Sequence, residues 1–294
     1  MSLLGSSGWS QKPPLGARVF PEHPLARGLA GCWLLNEGGG GQVCDLGRSG
    51  SRGALTNMAP ATDWVPTPYG WGLDFDAVDD YVTAPRSTPV ATQLTVACLV
   101  SIRTLMTGRC LVARSLATGQ LTWQLRTDNS NADELRVYVD STSQKQSTTA
   151  ADLVAGRWYH LAFVYDGAQA AASRIGIYVN GVYVPQSVTG TPPSSIAAST
   201  RPLLIGLETY ANPDVYTDMV CAGVWEWDIA LPPAAVASHA AAPFGMLRPP
   251  MRRWAHLCVT GAAGLCPLIG MDSALVRGNG AMIGPRSPLI RAVA

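Results

Sequence analysis

Between Ile177 and Val184 the chain reads IYVNGVYV, two β-branched and aromatic runs on either side of Asn180-Gly181. An Asn-Gly pair in that setting specifies a two-residue hairpin, because a type I′ turn needs positive φ at both central positions. The same two-residue alternation recurs in LDFDAVDDYVTA, LTVACLVSI, CLVARS, LTWQLRT, ELRVYVD and WYHLAFVYD. Short strands at this spacing, punctuated by turn residues, build a sandwich or barrel and not a parallel α/β sheet. Before position 245 only PPAAVASHAAA (232–242) has helical character, with prolines where the first turn tolerates them and alanines after.

Two stretches fall outside this pattern. Residues 1–27 carry Pro13, Pro14, Pro21 and Pro24 with Gly and Ser, and read as an extended N-terminal arm. Residues 243–294 open on PFGMLRPPMRRWAHLCV and continue with scattered glycines, and read as an extended C-terminal arm with at most a β-ribbon. The domain proper is expected over 28–242.

Composition excludes some functions. A net charge of +1 and a pI near 7.6 give no basic field for a nucleic acid. Charged residues are 14% of the chain, against roughly 25% in an average globular protein, which suggests a surface partly covered by partners. Lys12 and Lys145 are the only lysines; a GC-rich genome explains the arginine bias as well as function would. The seven cysteines form no CxxC and no zinc-spaced cluster, so buried free thiols are expected, with a Cys32–Cys44 disulfide as the alternative. The first residues lack the charged and apolar regions of a signal peptide, and no apolar run is long enough to insert in a membrane. The expectation is a chain made in a host cytoplasm.

Four stretches carry a resemblance. GLAGCWLLNEGGG (28–40) with DLGRSGSRGALTN (45–57), GLDFDAVDDYVTAP (72–85), AGRWYHLAFVYDG with IGIYVNGV (155–182), and PLLIGLE with DMVCAGVWEWDIALPPAAVASH (202–239) come in the order of the laminin-G-like, concanavalin A-like jelly-roll family. Ala77 stands where that family's pattern has glycine. The resemblance implies an all-β, antiparallel jelly-roll β-sandwich whose motif residues hold the fold. The segment PFGMLRPPMRRW is also similar to tails that follow such domains in phage structural proteins.

Three sets of residues are candidates for function. Asp74, Asp76, Asp79 and Asp80, with Glu37, are the densest acidic set, and their oxygens suit calcium. Trp64, Tyr69, Trp71, Tyr210 and Tyr216 lie in turn-rich segments and could stack on sugar rings, whereas Trp33, Trp123, Trp158 and Trp225 fall on strands as core. Phe244, Arg248, Arg252, Arg253 and Trp254 combine the residue types that dominate interfaces, and suggest docking to a partner. For catalysis, Glu226 is the nearest thing to a glycosidase acid but has no second glutamate close by, and His23, His160, His239 and His256 sit in unrelated contexts; His160 reads as a strand histidine hydrogen-bonded within the sandwich. The expectation is a non-enzymatic virion structural protein: a capsid decoration, head-fibre or tail-associated subunit, oligomeric, contacting capsid or tail subunits. The alternative is a lectin-like carbohydrate-binding module, calcium-assisted, for adhesion to a host or surface; a glycoside-active enzyme is the least favoured third reading.

Overall fold

The computed structural model describes residues 11–85, 88–115, 121–209, 215–248, 255–256 and 268–269. The chain divides into two compact units, Met1–Arg248 and Pro249–Ala294. In the second, the described residues form one antiparallel pair, Ala255–His256 with Leu268–Ile269.

The first unit is a sandwich of two antiparallel sheets, as the alternation requires. One has nine strands in the order Gln186–Thr189, Ser141–Thr148, Leu135–Val139, Leu121–Thr127, Cys110–Ser115, Leu203–Ile205, Tyr81–Ala84, Arg52–Thr56 and Gln42–Cys44. The other has eight: Val182–Tyr183, Ile175–Val179, Trp158–Asp166, Gln93–Ile102, Asp218–Trp227, Gly70–Asp76 and Trp64–Thr67, with Leu29–Trp33 beside the far half of Asp218–Trp227. Asn180 and Gly181 have φ of 50° and 81°, and Val179 pairs with Val182, so the expected hairpin turn is formed.

Side chains alternate across both sheets. Trp33, Phe75, Val96, Trp123, Leu125, Val137, Phe163 and Ile177 meet between them as the main core. A second apolar layer, with Trp225, Trp227, Leu99 and Val164, lies on the other face of the eight-stranded sheet. Helix α1, Pro233–Ala241, covers that face with Val236.

The expected arms are shorter than the composition suggests. Ala17 and Leu25 are buried, the Trp227 indole donates to the Leu25 carbonyl at 2.7 Å, and Arg18–Val19 pairs with Leu247–Arg248 in a two-stranded ribbon. Phe244, Met246 and Leu247 are buried in the second layer. These residues extend the second apolar layer over the outer face of the sheet, and the first unit ends at Arg248 instead of Ala242. Cys32 and Cys44 are both free thiols, the first buried and the second exposed.

Candidate functional site

Strand Gly70–Asp76 leaves the sheet at one end of the sandwich and turns back into Tyr81–Ala84. Ala77 takes a φ of 64° in this turn, a left-handed conformation that explains the glycine of the family pattern. The Asp76 carboxylate accepts from the Val78 backbone at 2.8 Å, and the Asp79 carbonyl accepts from the Asn57 side chain at 3.2 Å. This local bonding folds Asp76, Asp79 and Asp80 together, with one oxygen of each within 4.8 Å of the others.

Asp76 and Asp79 are exposed, while Asp80 is only 6% accessible. Its carboxyl is pushed up to about 6, first by burial and then by the Asp76 charge beside it. Among the described residues none of the three has a cationic partner. The cluster is thus a concentration of negative charge that its own surroundings do not neutralise, and a hard cation fits it.

Asp74 does not belong to this cluster. It shares a face of the strand with Asp76, but its side chain is held by Arg103, which bridges it to Asp218 at 2.6 Å and donates to the Phe75 carbonyl at 2.8 Å. Glu37 is also elsewhere, accepting from the backbone of Asn36 and Cys44.

The aromatic candidates separate as well. Trp64 is buried, with its indole donating to the Gly40 carbonyl at 3.0 Å, so it serves the core. Tyr69 packs edge-on against Trp158 at 5.3 Å and tilted against Phe244 at 6.3 Å. Trp71 is 43% exposed and lies over Gly38, where a Cβ would come within 2.9 Å of its ring. Of the described candidates, Tyr216 has its ring 6.4 Å from that of Tyr81, the residue following Asp80. Tyr210 lies outside the described residues. Tyr81 was missed in the sequence because it was read only as a strand residue; its place directly after the aspartates was the available signal.

The docking set is corrected in part. Phe244 is buried against Trp225 and Tyr69 and is not available to a partner. Arg248 pairs its backbone with Arg18, and Arg252, Arg253 and Trp254 lie outside the described residues. Glu226 faces the interior between the sheets, gripped by Arg114 at 2.7 and 3.3 Å, both side chains at most 1% accessible. A carboxylate so paired and enclosed has no route to a sugar.

A profile described as the concanavalin A-like lectin/glucanases superfamily, laminin G type, matches residues 76–237, more than half of the chain. The chain belongs to this family. The match begins at Asp76, so the acidic turn sits inside the concanavalin A-like domain. A search of curated proteins found no match. Among solved structures, Trypanosoma rangeli sialidase in complex with sialic acid is similar at 14% identity and a TM-score of 0.52, over 74% of this chain and 33% of that one. The binding domain of Paraclostridial Mosquitocidal Protein 1 is similar at 11% identity and a TM-score of 0.57, over 75% of this chain and 53% of that one. The chain spans about a third of the first and about half of the second, and both likenesses are of fold alone.

Proposed function

We propose that the chain is a non-catalytic, lectin-like binding module that takes a glycan with calcium at the loop end bearing Asp76, Asp79 and Asp80. The observation that carries this reading is the un-neutralised carboxylate cluster beside the Tyr81–Tyr216 pair. Calcium takes six to eight oxygen ligands. Three carboxylates leave coordination positions for water or for sugar hydroxyls, and the neighbouring rings offer a flat apolar face. A superfamily whose description names lectins, and a structural relative called a binding domain, support the same class. Of the docking residues on which the virion reading drew, Phe244 is internal and the Arg248 backbone is taken up by the terminal ribbon.

Calorimetric titration of the full chain with Ca²⁺ at pH 7.5 is expected to show one site of weak to moderate affinity, on the order of 10⁻⁴ M. Asp79→Asn should weaken it about tenfold or more, one exposed ligand charge being lost without damage to the core. Lowering the pH through about 6, where Asp80 takes up its proton, should weaken it too. Glycan-array binding that disappears with EDTA would complete the case. The absence of any calcium heat, together with glycan binding indifferent to Asp79→Asn, would overturn it.

A further inference from the structure

A cavity of about 460 Å³ opens on the outer side of the eight-stranded sheet, at the opposite end of the sandwich from the acidic turn. It is bounded by Asp166, which pairs with Gln93 at the start of strand Gln93–Ile102, whereas Arg103, just past the far end of that strand, bonds beside the acidic turn. Ten residues of strand put roughly 30 Å between the two places.

Gly176 and Val164 pair across two strands and form the floor. Tyr178 and Tyr183 stand over Gly176, their rings 5.7 Å apart and 79° from parallel. Tyr178 is buried, whereas Tyr183 remains 53% exposed at the rim, with its ring accessible from the opening. Pro232 and Pro233, at the start of helix α1, face them across the opening.

The polar side of the cavity is held in place. Arg174 donates to the carbonyls of Gly167, Gln169 and Pro192 and so fixes the loop after Asp166, while Asp166 accepts from the Ala168 backbone at 3.1 Å and the Gln169 side chain at 2.9 Å. Three hydroxyls that line the cavity, those of Ser173, Tyr178 and Tyr183, have no protein hydrogen-bond partner among the described residues. A hydroxyl can donate and accept, so the wall presents unused bonding capacity of both kinds next to an exposed aromatic face.

We infer that this cavity is a second binding site, for a pyranose unit of a glycan, independent of calcium. An uncharged sugar ring matches it on both counts: its C–H face lies on Tyr183, and its hydroxyls meet the Tyr178, Ser173 and Asp166 oxygens. The volume holds a mono- or disaccharide. The inference goes beyond the calcium-turn reading and does not depend on it.

The test is an array of plant, microbial and animal glycans probed with the full chain in EDTA, with hits measured by calorimetry. Binding should persist in EDTA and in Asp79→Asn. Tyr183→Ala should weaken it about tenfold and Tyr183→Phe by less, since the ring remains. Thermal melts of both variants should match the parent, the side chain being half exposed. An array silent in EDTA, or EDTA-resistant binding that Tyr183→Ala leaves unchanged, overturns the inference. Binding that fails only in EDTA supports the acidic turn and sinks this cavity; binding that survives EDTA and fails with Tyr183→Ala supports the cavity and leaves the acidic turn to its own calcium titration.

Discussion

His160 and His239 share a hydrogen bond of 2.8 Å between Nε2 and Nδ1, and both rings are buried. The rings of Trp225 and Trp227 wall in His239 at 4.7 and 4.9 Å. Burial lowers His160 to about 4 and holds His239 well below its ordinary value. Above pH 6.5 both folded and unfolded chains carry these rings neutral, so the pair adds no pH dependence there. Below 6.5 the unfolded chain gains protons that the folded one refuses, and stability falls until about pH 4. His160 alone contributes a loss of roughly 3 kcal/mol across that window. Denaturant midpoints at pH 7.5 and 5 should reveal it, and His239→Leu should flatten the slope; equal midpoints would contradict the account. Glu226→Gln, which strands the Arg114 guanidinium between the sheets, should cost about 3–5 kcal/mol. At this scale the sequence was legible only in part. It singled out Glu226 and suggested an internal bond for His160, but Arg114 is 112 positions from Glu226 and His239 is 79 from His160, and no local pattern announces either partner.

Strands were the most legible elements, because a two-residue period forces one side of each into the core. In LTWQLRT and LRVYV the period places Trp123, Leu125, Val137 and Val139 inward, as found. The outward residues are the surprise: Gln124, Arg126, Arg136 and Tyr138 are nearly inaccessible too. Arg126 pairs with Glu208 and Arg136 with Asp128, and both guanidinium groups lie within 6 Å of the Tyr138 ring centre, at 5.7 and 5.9 Å. Glu208 comes from a distant segment, so alternation alone reads this face as solvated. The Asn180-Gly181 turn likewise has a tertiary role beyond its own hairpin. A Cβ on Gly181 would lie 2.8 Å from the Cα of Ala237 and 3.0 Å from the Cβ of Ala240, so the turn packs directly on helix α1. Gly181→Ala combines this clash with a φ of 81° and should cost at least about 1–2 kcal/mol. Chemical denaturation checks it, and a neutral result would mean that the hairpin does not seat on the helix.

For the molecule as a whole, the low charge content has an internal side. Three buried ion pairs, Arg114–Glu226, Arg126–Glu208 and Arg136–Asp128, withdraw six charged residues from an already small set. A charge-poor sequence therefore need not mean a surface covered by partners. The terminal segments were misread for a related reason: proline and glycine content describes the local path of a chain, not what its few apolar side chains can cover. Deleting residues 1–27 removes the Leu25 anchor, the bond from Trp227 and one strand of the terminal ribbon, and should lower the melting temperature by about 5 °C or more. An unchanged melting temperature would restore the free arm. That ribbon, Arg18–Val19 against Leu247–Arg248, also determines how the domain meets mechanical load. Its strands are antiparallel, so the chain before Arg18 and the chain after Arg248 emerge at the same end. Tension through those two exits would peel its residue pairs one at a time, as a zip opens, and the ribbon would yield to a small force before the long shear-loaded ladders of the sandwich felt the pull.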